Sequence, residues 1–146
     1  MPHYFAFGSN LSHARLAARV SIRADLGPAR LSGWRLVCDK AGDDGSAKAN
    51  LAADPTAEVW GVLYDLTDEA LDVLDGYEGG YRREEVDVAI DGRTIPAVTY
   101  VSSVRRDGVM FDWYKAHLVT GAAEHGLPGA YCDALRALPS RPDPHR

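Results

Sequence analysis

Tyr4-Phe5-Ala6-Phe7-Gly8-Ser9-Asn10-Leu11 joins an aromatic-rich apolar run to an abrupt polar turn. A helical pattern of Leu11, Leu16 and Val20 starts at once. The stretch reads as a buried strand, a tight turn and a helix N-terminus. Such a junction turns successive backbone N–H groups into one concave spot suited to a carboxylate, a phosphate or an oxyanion. Three uses of the turn stand open from these residues. Ser9 is a candidate nucleophile, the loop is a candidate anion cradle, and Asn10 or Ser12 is a candidate helix cap.

Outward from this turn, the first helix is expected over Ser12 to Arg19, with Leu16 and Val20 inward and its arginines outward. Ala29 to Val37 alternates Leu31, Trp34 and Leu36 with polar residues, as a strand does. Asp39 to Ala47 is rich in Gly and Asp and reads as a mobile loop, either a linker or a cover over a site. Ala49 to Ala53 is a short strand candidate. Glu58-Val59-Trp60-Gly61-Val62-Leu63-Tyr64-Asp65 carries the strongest strand signal, and Gly61 inside it marks a bulge or a close backbone approach. Thr67 caps a helix with Asp68 and Glu69 in its first turn, Leu71 and Leu74 as anchors and Gly76 at its end. Val86, Val88 and Ile90 alternate along the next strand, Asp91-Gly92 is a hairpin turn, and Thr94 to Tyr100 returns. Asp112 to Glu124 is helical, and Pro128 opens a last helix running to about Leu138. Strands followed by helices indicate an α+β fold. Residues 1–139 form one domain, and Ser140 to Arg146 is a Pro-rich tail expected to fray.

The totals agree with one domain, because 146 residues build a single core. A net charge of −5 argues against nucleic acid or an anionic membrane as partner, since phosphate binding needs clustered Lys and Arg. No apolar run approaches the roughly 20 residues of a membrane span, and no signal core follows Met1, so a soluble cytoplasmic protein is expected. Cys38 and Cys132 are far apart, form no C-x-x-C pair, and are expected as reduced thiols.

The candidate chemistry narrows quickly. Ser9 has no G-x-S-x-G elbow, and His13 leaves the same helix start. His3, His13, His117, His125 and His145 show no close ligand spacing, so no metal is expected. The turn lacks the glycines and the Lys-Ser/Thr of a phosphate loop. The unusual carboxylate is Glu78 in Leu74-Asp75-Gly76-Tyr77-Glu78-Gly79-Gly80-Tyr81. It sits between a helix end and a strand start, among glycines and tyrosines. Partial burial there would lift its pKa above the ordinary value of about 4.3 and make it a usable base.

These residues resemble a known family. Phe7-Gly8-Ser9-Asn10-Leu11, Glu58 to Tyr64, Leu74 to Gly79 and Gly121 to Tyr131 are similar, in order, to four motifs of the gamma-glutamylcyclotransferases. The likeness runs from about Tyr4 to Leu138. It implies a small mixed β-barrel with surrounding helices. It also implies a reaction in which the α-amine of a γ-glutamyl group attacks its own γ-carbonyl, releasing 5-oxoproline and an amine or amino acid. By the same resemblance Glu78 is the general acid/base, Phe7, Gly8, Ser9, Asn10 and Leu11 bind the glutamyl moiety, and Tyr81 and Tyr114 stand near the substrate. No cofactor is required, and a homodimer is implied, for which the aromatics of the C-terminal helices are the expected surface. The lean is towards γ-glutamyl amino acids; the alternative is a non-catalytic binding or regulatory domain on the same fold. Phe7 stands where the family often has Tyr, and the Glu78 to Tyr81 connection is shorter than in many members.

Overall fold

The structure, a computed structural model, describes residues 2–146. Strands β1 (His3–Ala6), β2 (Ala24–Ala41), β3 (Ala47–Asp65), β4 (Arg82–Ile90) and β5 (Arg93–Val101) close a barrel in the order β1-β3-β2-β4-β5. β1 pairs antiparallel with β3 and parallel with β5 through Tyr4↔Val98, so the sheet is mixed as the resemblance implies. Helices α1 (His13–Arg19), α2 (Asp68–Tyr77), α3 (Asp112–Glu124) and α4 (Gly129–Arg136) surround it. Phe5, Leu31, Leu51, Leu63 and Tyr64 fill the core with Leu16 and Leu118 from the helices.

Local chemistry explains most boundaries. Ser12 caps α1 by accepting from the Arg15 amide at 3.3 Å, and Thr67 caps α2 from the Ala70 amide at 3.0 Å. Just before α1, Ser9–Leu11 forms a 3-10 turn rather than the first turn of that helix. Asp91 and Gly92 both have positive φ, the conformation of a two-residue hairpin turn. Gly61 is a close approach: a Cβ there would fall on the Ala6 carbonyl oxygen and the Phe5 ring. Cys38 and Cys132 are free thiols.

Two expectations are corrected. Residues 39–47 are not a free loop, and 49–53 and 58–65 are not separate strands. β2 and β3 form one bent hairpin from Ala24↔Asp65 to Ala41↔Ala47, turning through 42–46. The apparent break has a local cause. Ser32 faces Glu58 while Trp34 faces Ala53, so residues 54–57 bulge opposite Gly33, whose φ is +88°. Asp54 ties that bulge by accepting from the Thr56 amide at 3.0 Å and hydroxyl at 2.8 Å.

The tail does not fray. β6 (Met110–Phe111) pairs in parallel with β7 (Ser140–Arg141). Arg141 and Arg146 lie over the Phe111 and Trp113 rings at 4.8 and 4.1 Å, and Trp113 Nε1 donates to Asp143 at 2.9 Å. This covering also removes the expected aromatic surface on the C-terminal helices. Among the described residues the exposed large hydrophobics are Leu26, Val73, Tyr77 and Val104, none of them on α3 or α4.

Gly121 sets how closely α3 approaches the turn. A Cβ there would land on the Leu11 carbonyl carbon and the Ser12 nitrogen, which are backbone and cannot swing aside. Gly121→Ala is expected to lower stability by about 1–3 kcal/mol. The check is the urea midpoint at unchanged slope; an unchanged midpoint would mean that helix and turn separate freely.

Candidate active site

The 3-10 turn, the end of α2 and the start of β3 converge on one small cavity. Tyr4, Phe7, Gly8, Ser9, Asn10, Ala49, Glu78, Tyr81, Tyr100 and Tyr114 line it, and its volume is about 30 Å³. It opens into a wider mouth of about 340 Å³ bordered by Arg15, Arg19, Lys40, Asp43, Asp44 and Lys48. A larger groove of about 770 Å³ runs past Leu31, Trp34, Glu85, Asp87 and Pro96 on the barrel wall and shares no residue with the cavity.

Glu78 is the C-cap of α2. Its amide donates to Leu74 and Asp75, and its carbonyl accepts from the Tyr81 amide at 3.0 Å. Held on both sides, its side chain is only 14% exposed. Asn10 Nδ2 donates to Glu78 Oε1 at 3.0 Å, and the Arg19 guanidinium lies 3.7 Å from the same oxygen. Burial raises the Glu78 pKa above the ordinary carboxylate value, while Arg19, Arg15, Asn10 and Lys40 pull it part of the way back. A carboxylate shifted in this direction is a stronger base than an exposed glutamate.

The turn serves this carboxylate. Asn10 is 2% exposed; its Nδ2 also donates to the Tyr4 hydroxyl at 3.0 Å, and its Oδ1 accepts from Arg19 at 3.4 Å. Tyr64, from the far end of β3, donates its hydroxyl to the Asn10 carbonyl at 3.1 Å. Ser9 Oγ accepts from Arg15 Nε at 2.8 Å. A guanidinium cannot take a proton, so the nucleophile reading of Ser9 loses its base. Leu11 differs from its neighbours. It is fully buried, and its amide donates to the Gly8 carbonyl at 3.0 Å, so neither group faces the cavity. Phe7 is 6% exposed and lines the cavity with a bare ring.

The opposite wall hangs from one peptide. The Ala49 amide donates to the Tyr114 hydroxyl at 3.1 Å, and its carbonyl accepts from the Tyr81 hydroxyl at 2.6 Å. The short Glu78 to Tyr81 connection thus leaves Tyr81 in the same cavity as the carboxylate. Burial raises the Tyr4, Tyr81 and Tyr114 pKa values, so all three stay neutral near pH 7.

Several site residues were not singled out by sequence. Tyr4 lies in the opening stretch as an apparent core residue, and Tyr100 ends a strand. Arg15 and Arg19 were expected outward but turn to the site, because Ser9 and Asn10 offer acceptors and Glu78 a charge. Their spacing of four on the helix after the turn was the available signal. Lys40 and Lys48 sit on the two arms of the β2–β3 hairpin, whose tip borders the mouth.

Residues 58–135, which include Glu78, match the AIG2-like family, and this sets the class. A human gamma-glutamylcyclotransferase is 32% identical over 147 residues, covering 92% of this chain and 77% of its own length. The mouse gamma-glutamylcyclotransferase is 29% identical over 145 residues with the same coverage. A solved gamma-glutamyl cyclotransferase structure superposes with a TM-score of 0.90 at 30% identity, over 96% of this chain and 89% of that one. The chain belongs to the gamma-glutamylcyclotransferase family. No helix among the described residues is long and apolar enough to cross a membrane.

Proposed function

We propose that this chain cyclises γ-glutamyl amino acids to 5-oxoproline and the free amino acid, with Glu78 as general acid/base. The observation that carries the reading is a buried carboxylate with a raised pKa, gripped by Asn10 at the floor of a small cavity beneath a cationic mouth. Glu78 removes a proton from the substrate ammonium. The freed α-amine attacks the γ-carbonyl, forming the ring C–N bond. Glu78 then returns the proton to the departing nitrogen as its C–N bond breaks. The nucleophile is tethered to the electrophile, so folding the substrate supplies most of the advantage, worth several kcal/mol. The amides of Gly8, Ser9 and Asn10 hold a negatively charged oxygen of the glutamyl moiety, and the Tyr4 hydroxyl, which already accepts from Asn10, keeps its own proton for the substrate. The role implied for Leu11 becomes one of holding the turn.

The mouth favours an amino acid as leaving group. Arg15, Arg19, Lys40 and Lys48 outnumber Asp43, Asp44 and an ionised Glu78 by one charge. A γ-glutamyl amino acid carries one net negative charge, and a γ-glutamyl alkylamide carries none. One charge-assisted hydrogen bond of about 1.5–3 kcal/mol corresponds to a preference of roughly tenfold or more. The expected result is 5-oxoproline release from γ-glutamyl-alanine with kcat/KM at least about tenfold above γ-glutamyl-ethylamide, the gap shrinking with added salt. Equal rates would assign amines to the site, and no release from any γ-glutamyl donor would assign a binding domain. We further propose that the enzyme acts in the cytoplasm, in glutathione metabolism, and as a homodimer, the last to be tested by sedimentation.

A further inference from the structure

A second cluster of chemistry-bearing side chains lies outside the cavity and its mouth. His13 opens α1, Asp25 lies early in β2, and His125 is the C-cap of α3. Their ligand atoms all fall within 4.8 Å of one another. His13 Nδ1 is 3.0 Å from Asp25 Oδ2, and His125 Nε2 is 2.6 Å from the same oxygen. The spacing in sequence is long, and three different elements supply the ligands, so no local pattern marks the site.

The His125 ring makes the cluster informative. Its Nδ1 lies 2.8 Å from the Gly121 carbonyl oxygen, which can only accept. That contact places the proton on Nδ1 and turns the Nε2 lone pair towards the Asp25 carboxylate, which also only accepts. A neutral ring cannot satisfy both contacts. A positive charge belongs between Nε2 and Oδ2, either a second proton or a metal ion. His13 brings a further ring nitrogen to that same oxygen, so that two imidazole nitrogens and one carboxylate oxygen lie within ion-binding reach of one another. An imidazole fixed by its other nitrogen on a backbone carbonyl is the usual support for a metal-binding histidine. The cluster is also reachable: the His125 side chain is 8% exposed, but Asp25 is 25% and His13 47% exposed, leaving room for entry and for water as fourth ligand.

We propose that His13 Nδ1, Asp25 Oδ2 and His125 Nε2 bind a zinc-type divalent transition-metal ion, completed by water. Two imidazoles and one carboxylate suit Zn²⁺ over Mg²⁺ or Ca²⁺, which prefer all-oxygen sites. The 2.6 and 3.0 Å nitrogen–oxygen separations open, and the two ring nitrogens, within 4.8 Å of each other, adjust around an ion with bonds near 2.0–2.2 Å, which half-exposed His13 is free to allow. The ion ties α1, β2 and α3 together. It takes no part in cyclisation, so this inference does not rest on the proposed reaction.

The test uses the full chain without a histidine tag, stripped by chelator and then titrated with Zn²⁺ by calorimetry and with Co²⁺ by visible absorption. One ion per chain is expected, with cobalt bands of tetrahedral type. His13→Gln and Asp25→Asn should each lower affinity at least about tenfold, and His117→Gln should leave it unchanged. His13 is half exposed, so its substitution keeps the fold. The inference is overturned by no saturable binding, or by binding that survives His13→Gln. It is equally overturned if nitrogen NMR shows both His125 nitrogens still protonated at saturating Zn²⁺, which would assign the charge to a proton.

Discussion

Glu78→Gln is expected to lower kcat/KM for γ-glutamyl-alanine by about 10²–10⁴-fold while the barrel stays folded. The amide preserves size and can still receive the Asn10 contact after a side-chain flip, but it cannot carry a proton between two nitrogens. The pH dependence follows from the raised pKa of the buried carboxyl. With Glu78 as the proposed base, the active form is the carboxylate, so activity of the native enzyme should rise as pH passes upward through the raised value. That limb should lie above the ordinary carboxylate range and be missing from the residual activity of the Gln variant. Stability runs in the opposite sense. A folded pKa above the unfolded one means that ionised Glu78 opposes folding, increasingly so as pH rises through the window between the two values. The Gln variant should therefore melt at or above the native temperature near pH 7. A variant that is equally active would remove Glu78 from its role, and a variant that is merely unfolded would show itself by a low melting temperature.

Gly8→Val should be the next most damaging change. A Cβ at Gly8 would stand 3.1 Å from the Tyr114 hydroxyl and 3.5 Å from the Ala49 Cβ, and the two methyls of valine reach further into a cavity of only about 30 Å³. The valine fills space in the cavity proposed for the glutamyl group and presses on the Tyr114 hydroxyl that the Ala49 amide holds. A displacement on the order of 1 Å in such a site costs about 10²-fold, so a loss of that size or greater is expected in kcat/KM. Ser9→Ala removes only the acceptor for Arg15 Nε and should reduce the rate several-fold at most. The pair of measurements separates backbone from side chain. If Ser9→Ala lost activity as completely as Glu78→Gln, the hydroxyl would have a chemical task that the present reading denies it.

Much of this site is visible in the sequence because its parts are local. The Phe7 to Asn10 turn and the Glu78 turn are each continuous stretches, recognisable by an abrupt end to an apolar run and by flanking glycines. The barrel was harder to read. Asp54-Pro55-Thr56 looks like a break between strands because those residues do leave the ladder, yet β3 resumes its pairing on either side of them. Arg15 and Arg19 look like the wet face of a helix, since their spacing of four marks a shared face but not that the acceptors of Ser9, Asn10 and Glu78 stand opposite it. Ala49 has no chemical side chain at all, and its part in the site is purely main-chain. His13, Asp25 and His125 meet only after the barrel has closed. Interactions within one turn were legible, and those assembled by tertiary closure were not.

The continuity of β3 has one more consequence. Near its first residues the strand grips Tyr81 and Tyr114 through Ala49, and at its far end Tyr64 grips the Asn10 carbonyl. Both walls of the cavity therefore hang from a single beam, and their separation is a property of the beam rather than of any loop. The 42–46 hairpin tip, which borders the mouth, can change length and charge without altering that gauge. On the proposed reading, leaving-group preference is thereby free to change at the tip while the cavity that folds the substrate keeps its width.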